Sequence, residues 1–287
     1  TGDSPVAKLE GYIGVDQPKG PANVRLVYED GMMKLSWDAV TEGMSGGYVD
    51  PEGIVYMVNR ISPTYYPLMP TSELTATETV AEPVSLQRYS YLVAANYNGA
   101  SSPATRSNTI VLGPIVPPYT DGFGAADALD LYTVADANND GVTWEKEDGT
   151  LTVGYNTRLA MDDWLITPKV KVEAGKSYEI SMKAWIKGAR YFERVEVKYG
   201  NSADPSALIH TVIVPTEIKT GADAPETLTG TLRAAADGYV YIGVHGISDA
   251  DRLGLYIDDL TISDGVADGA PDVVTGLKAT GDPNGAL

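Results

Sequence analysis

Residues 88–97 read RYSYLVAANY, and Tyr89, Tyr91, Val93, Ala95 and Tyr97 all fall on one parity. A strand with one buried face requires that spacing, because successive side chains point to opposite faces; a helix needs apolar residues three and four apart. The same alternation runs through the chain while helical periodicity is nearly absent. It predicts strands at 23–28, 32–38, 54–61, 88–97 and 108–112, then at 151–155, 164–167, 177–186, 193–199, 208–214, 239–246 and 255–262. Turn-rich stretches such as EDG, TEGMSGG and NYNGASSP separate them. With 30 Gly, 18 Pro and 18 Tyr against 2 Phe, the chain reads as all-β, built from short strands without intervening helices.

At 287 residues the length suits two domains. GPIVPPYTDG at 113–122 carries three prolines and two glycines, and Pro117-Pro118 cannot donate to a sheet ladder, so the boundary is expected there. SDGVADGAPD at 263–272 is a second acidic joint. P-x-x-V opens both 21–37 and 271–287, a faint repeat of the kind that marks modular arrays. The expected organisation is therefore a preceding module's tail with its linker (1–19, including GYIGV), one domain at 20–114, a second at 115–265, and a linker with the first strand of a further module (266–287).

Charge narrows the partners. The formal net charge is −18, from 39 acidic and 21 basic residues. Such a surface repels phosphate backbones and anionic lipid, which disfavours nucleic-acid and membrane-surface binding and leaves divalent cations and neutral ligands such as sugars. There is no cysteine, hence no disulfide, thiolate metal site or cysteine nucleophile. No apolar run reaches the ~18 residues of a membrane helix, so no membrane insertion by this stretch is expected. No basic n-region or apolar h-region opens TGDSPVAKLE, so an export signal is not part of this sequence.

DANNDGVTWEKE at 136–147 matches the spacing of a calcium-binding EF-hand loop at Asp136, Asn138, Asp140, Gly141 and Glu147. An EF-hand needs a helix on each side, whereas ALDLYTVA and GTLTVGY read as strand, so the sensor reading fails. Two readings remain. Calcium takes six to eight hard oxygens, which these side chains and the backbone at 142 can supply; alternatively the stretch is an Asx-rich turn with Gly141 at positive φ. Catalytic signatures are missing: His210 and His245 fit no zinc spacing, and no G-x-S-x-G, P-loop or G-x-G-x-x-G occurs. No enzyme is expected, although paired carboxylates of the glycosidase kind leave no local motif.

Residues 20–114 resemble a fibronectin type III domain, on P-x-x-V leading into MMKLSWDAV with Trp37, on GGYVDPEGIVYMVNR and on YSYLVAANYNGASSPAT. The resemblance implies an immunoglobulin-like sandwich with a core Trp whose polar tip finds a backbone partner, and a tyrosine corner at Tyr89 or Tyr91. Residues 118–264 resemble the cleaved-adhesin or choice-of-anchor J jelly-roll domains of gingipain-type haemagglutinin adhesins, related to MAM domains. The residues that carry this are YTDGF, VADANNDGVTW, MDDWLITPKVKVEAGKSYEISMKAW, GYVYIGVHGIS and LYIDDLTI. The pairing looks like surface proteins of Bacteroides-type bacteria. It implies a secreted, surface-displayed, non-catalytic fragment, often holding structural calcium, that meets a host or bacterial surface protein or a glycan and the neighbouring modules of its own chain. The alternative is a carbohydrate-binding module attached to a polysaccharide-degrading enzyme.

Two further residue groups follow. Asp162-Asp163 precede Trp164, and Asp258-Asp259 sit in the last strand, where Asp258 shares parity with Tyr256, Leu260 and Ile262 and so faces the apolar side. A carboxylate there should meet a cation or several donors. In jelly rolls the first and last strands are neighbours, which would bring Asp121 to Asp258. For sugars, Trp185 falls with Glu179, Ser181 and Lys183 on the polar parity of its strand, either facing a ligand or packed beneath loops. Tyr239 and Tyr241 alternate with Val240 and Ile242 in the same two-sided way, and TYYP at 64–67 reads as a loop tip.

Overall fold

The structure is a computed structural model that describes residues 16–188 and 190–267. GYIGV and the second copy of the repeat at 271–287 lie outside the described residues. Residue contacts divide the chain into two units. One holds the residues up to Val116 with Ala125–Thr133 and Ile166–Val170; the other holds Pro117–Gly124, Val134–Leu165 and the chain from Lys171 on. Three single 3-10 turns are the only helical segments among the described residues, so the fold is all-β, as the alternation requires. No described helix is long and apolar enough to cross a membrane.

The strands of the first unit are β1 (Arg25–Glu29), β2 (Met32–Ser36), β3 (Ile54–Ser62), β4 (Tyr66–Pro67), β5 (Thr75–Thr79), β6 (Gln87–Tyr97), β7 (Ala100–Ser101), β8 (Thr105–Arg106) and β9 (Ile110–Leu112). They form a three-stranded sheet, β1-β2-β5, and a second sheet centred on β3 and β6. Leu26, Met33 and Leu35 from the first sheet share one buried cluster with Ile54, Tyr56, Val58, Tyr91, Val93 and Ala95 from the second, which makes a sandwich. Trp37 packs in it against Tyr56, with ring centroids 5.3 Å apart. Its Nε1 is buried without a hydrogen-bond partner, contrary to the expectation for a core Trp. Tyr91, one of the two tyrosine-corner candidates, does not bond back to the backbone. Tyr91 is fully buried, but its hydroxyl donates to the Glu78 carboxylate of β5 at 2.7 Å, because Glu78 turns inward to pair with Arg60 of β3. Burial, with Glu78 beside it, drives the Tyr91 hydroxyl to a pKa far above the usual tyrosine range.

The remaining strands belong to the second unit, apart from Thr133, Ile166 and Val170, which fall within the first unit's ranges: β10 (Tyr119–Asp121), β11 (Thr133–Asp136), β12 (Trp144–Glu147), β13 (Thr150–Val153), β14 (Asp163–Ile166), β15 (Val170–Val172), β16 (Lys176–Ile186), β17 (Glu193–Gly200), β18 (His210–Ile218), β19 (Glu226–Arg233), β20 (Gly238–Gly246), β21 (Leu255–Ile262) and β22 (Val266–Ala267). One sheet runs β12-β13-β21-β16-β19, with β10 against β21 and β22 against β16; the other runs β11-β14-β20-β17-β18, with β15 against β20. From β16 onward the chain crosses repeatedly between them. Along β16, Tyr178, Ile180, Met182, Ala184 and Ile186 are buried while the residues between them are not, so one face is core and the other open.

Alternation alone overlooks β19, whose inward face offers only Leu228, Gly230 and Leu232 among threonines. Gly230 is required there: a Cβ would stand 2.1 Å from the Val212 carbonyl oxygen. It also overlooks β5, β11 and β12, where Thr and acidic residues hide the period.

Tyr91→Phe is expected to lower the stability of the first unit by about 1–2 kcal/mol, since Glu78 loses a buried donor. Urea unfolding should show an earlier midpoint at unchanged slope; an unchanged midpoint would mean that the hydroxyl contributes nothing.

Candidate functional site

The open face of the β12-β13-β21-β16-β19 sheet carries an aromatic pair. Trp185 of β16 lies directly across from Tyr256 of β21, and their rings are stacked, with centroids 5.6 Å apart and planes inclined by 15°. Trp185 is half-buried and Tyr256 is buried, so what the pair offers to solvent is mainly Trp185. Ion pairs bracket it on the same strand face. Lys183, two residues before Trp185, meets Asp259 at 2.6 Å; Lys187, two residues after, lies 3.8 Å from Glu147 and 5.9 Å from the Tyr256 ring centroid. The Tyr256 hydroxyl donates to Glu147 at 2.7 Å. Glu147 therefore does not join the 136–141 loop. It sits at the end of β12, where strand alternation turns it to the sheet face.

The loop itself closes on its own backbone. Asp136 accepts from the amides of Asp140 (3.1 Å) and Gly141 (2.9 Å), Asn138 from Asp140 (3.1 Å), and Asp140 from Val142 (2.8 Å). Gly141 supplies a φ of +81°, which a side chain would strain. The Asn138 amide donates to the Ala160 carbonyl at 2.6 Å, tying the loop to the segment before β14. There Asp163 is 1% exposed, and its Oδ1 makes no hydrogen bond of good geometry, although the neighbouring Thr143 hydroxyl is close enough to lower its pKa somewhat. Burial, with the Asp140 and Asp136 charges nearby, pushes the Asp163 carboxyl up to about 7. Chemically the set is all oxygen and suits a hard cation, and the buried Asp163 oxygen fits one. As placed, however, no three Asp, Glu or His side chains among the described residues converge at metal-ligand spacing.

Asp258 does not face the apolar side. Opposite β16 the register of β21 slips between Ser181 and Lys183, and Asp259 takes a φ of +51°. This bulge inserts one residue, so Leu260 and Ile262 point inward while Asp258 stays half-buried on the Tyr256 side. Asp121 of β10 pairs in register with Leu260 and lies near Asp258, as neighbouring first and last strands imply. Burial raises the Asp258 pKa; the Asp259 amide opposes this, and the Asp259 charge reinforces it. Asp121 already accepts from the Phe123 amide at 2.9 Å.

On β20, Tyr239 is exposed and Tyr241 half-buried on the outer parity. Further along that parity is a constellation that sequence spacing does not reveal. His245 contacts Asp162 at 2.7 Å through Nε2 and Glu196 at 2.9 Å through Nδ1, and stacks on Trp164 with centroids 3.8 Å apart. Both ring nitrogens are engaged, which leaves neither for a metal or a substrate proton. Burial raises the Glu196 pKa, but Lys198 at 2.7 Å and His245 outweigh it and hold the carboxyl below the usual range. The group is a structural clamp.

No family model and no curated protein matches the sequence. Among solved structures, a cleaved adhesin domain of Lys-gingipain from Porphyromonas gingivalis is 16% identical, the match covering 51% of this chain and 97% of that one at a TM-score of 0.41. A CBM22 xylan-binding domain from Paenibacillus barcinonensis is 11% identical over 53% and 95%, at 0.37. The C-terminal CBM6 of LamC from Zobellia galactanivorans is 17% identical over 51% and 98%, at 0.33. Likenesses at these scores carry no functional argument, which rests instead on the side chains.

The Asp163 carboxyl gives a signed expectation. Its folded value of about 7 lies above the ~3.9 of an unfolded Asp, so its contribution is fully present below about pH 4 and is lost as pH rises through 7. In metal-free buffer Asp163→Asn should be more stable than the parent at pH 8 by on the order of 2 kcal/mol, with a difference under about 1 kcal/mol at pH 4. Thermal melts at the two pH values check this; equal differences at both would show that Asp163 does not carry the effect.

Proposed function

We propose that this chain is a non-catalytic binding fragment of a multi-module extracellular surface protein, and that its second unit holds a glycan on the open face of the β16-bearing sheet. The observation that carries the reading is the stacked Trp185–Tyr256 pair set between two lysine–carboxylate pairs. An aromatic face receives the apolar C–H face of a sugar ring, while flanking charged groups exchange hydrogen bonds with its hydroxyls. An open strand face suits a polymer chain passing across it better than it suits chemistry that must exclude water. The two carboxyls with raised pKa values also argue against catalysis: Asp163 is sealed from solvent, and Asp258 pairs structurally with the Asp259 amide.

A glycan array probed with the whole chain tests this. Binding to a polysaccharide that Trp185→Ala weakens at least tenfold, with an unchanged melting temperature, supports the reading. A silent array, or binding indifferent to Trp185, would leave protein adhesion or spacing as the role. The face rather than one residue is the claim, so Lys187→Ala should weaken the same ligand by a smaller factor.

We further propose structural calcium at the 136–141 loop, held by Asp136, Asn138, Asp140 and the buried Asp163 Oδ1; Asp121 and Asp258 form the competing acidic group. A cation bound only to the folded state adds about 2.7 kcal/mol at a hundredfold excess over its Kd. Calcium should raise the melting temperature of the parent at pH 8 and leave Asp163→Asn unmoved. No shift in the parent after chelation and reloading would dispose of the site, and an equal shift in both would move it to Asp121 and Asp258.

A further inference from the structure

The −18 charge makes unpaired cations informative, and two of them flank one exposed tyrosine on the other sheet. Where β17 ends and β20 begins, a hollow of about 430 Å³ is lined by Tyr199, Asn201, Ile209, His210, Arg233 and Tyr239, among others. A second hollow of about 470 Å³, lined by Lys171 and Glu173, shares Val172, Asp237, Gly238 and Tyr239 with the first. Tyr239, 51% exposed, therefore stands on the ridge between two contiguous hollows. Apolar surface is available around it: Ile209 is 70% exposed, and Tyr199 and His210 lie ring to ring with centroids 4.9 Å apart. The Tyr199 hydroxyl donates to the Arg233 carbonyl at 3.3 Å, which fixes the backbone from which the guanidinium projects.

The acids at this rim are engaged and the cations are not. Glu173 pairs with Lys176 at 2.8 Å, and Asp237 accepts from the Ala174 amide at 2.8 Å. Asp204, beside the first hollow, accepts from the amide and hydroxyl of Ser206 at 2.8 and 2.7 Å. Both residues are exposed, and among the described residues neither the Arg233 guanidinium nor the Lys171 ammonium makes an ion pair or a side-chain hydrogen bond. We propose that the two hollows form a second binding groove, independent of the Trp185 face, that takes an acidic saccharide: an oligomer whose sugar rings carry carboxylates. Tyr239 receives the apolar face of a central ring. Arg233 and Lys171 meet carboxylates on the rings to either side, and Asn201 and His210 serve hydroxyls. A guanidinium binds a carboxylate with two parallel hydrogen bonds, so it discriminates acid from ester. A neutral glycan would leave both cations unused.

The test is calorimetric titration of the whole chain with a galacturonic acid hexamer and with its fully methyl-esterified counterpart. The acid form should bind, the ester should bind at least tenfold more weakly, and rising salt should weaken only the acid. Arg233→Gln and Lys171→Gln should each cost about tenfold, and Tyr239→Ala at least as much, with unchanged melting temperatures because all three side chains are on the surface. Trp185→Ala should leave this affinity unaltered, which separates the groove from the sheet-face site whatever that site binds. No binding of the acid hexamer, equal affinity for acid and ester, or indifference to Arg233→Gln would overturn the proposal. Equally tight binding of a glutamate hexapeptide would overturn it too, since the groove would then read charge without the sugar.

Discussion

Strand β21 carries four fully buried aliphatic side chains on two different parities, Leu255 and Ile257 on one and Leu260 and Ile262 on the other. A regular strand can bury only one parity on one face. The extra residue at Asp258-Asp259, with Asp259 in the left-handed region, lets all four face inward. The rest of the second unit's first sheet depends on this. β21 is hydrogen-bonded to β10, β13 and β16, so its register sets which face of each neighbour is core. The same bulge keeps Asp258 with Tyr256 on the open side and turns Asp259 toward Lys183. The Lys183–Asp259 pair is a consequence of that inserted residue, while the aromatic pair lies in the regular register beside it.

Most of the fold is legible as alternation, because a half-buried strand must show it. β3, β6, β16, β20 and β21 can be read almost to the residue, because their buried positions are nearly all apolar and, apart from the switch at the β21 bulge, fall on one parity over most of each strand. Where the inward face needs little bulk, the signal fades, as in β19 with Gly230 under the Val212 carbonyl. The misreading of Asp258 has a sharper cause. Parity counting assumes one residue per step, and nothing in LYIDDLTI marks which of two adjacent aspartates absorbs the additional one. The site was half legible. Trp185 on a polar parity could be picked out, whereas its partner Tyr256 lies 71 positions away in sequence and becomes a neighbour only through the β16–β21 register. Arg233 and Lys171 carried no sequence signal, because being unpaired is a property of the folded surface alone.

The acidic excess also looks different once folded. In the 136–141 loop, at Asp204, at Asp237 and at Asp121, carboxylates accept from backbone amides that no strand partner satisfies. A charged acceptor makes a stronger bond to an amide than a neutral one, so acidic residues are efficient turn formers in a protein with so many turns. Part of the negative charge thus serves loop construction. This explains why an EF-hand spacing arises without flanking helices: alternate acceptors folding back on successive amides suit a tight turn as well as they suit a cation.

Asp163 stands apart from that logic, since it is buried, makes no hydrogen bond of good geometry at Oδ1 and faces two other carboxylates. A protein tolerates such a group when it is protonated or when a cation joins it. Near neutral pH protonation costs little, because the carboxyl's pKa is about 7. Calcium and protons would then compete for one oxygen. On the calcium proposal, that competition would act on the loop that leads into β12, the strand whose Glu147 receives the Tyr256 hydroxyl.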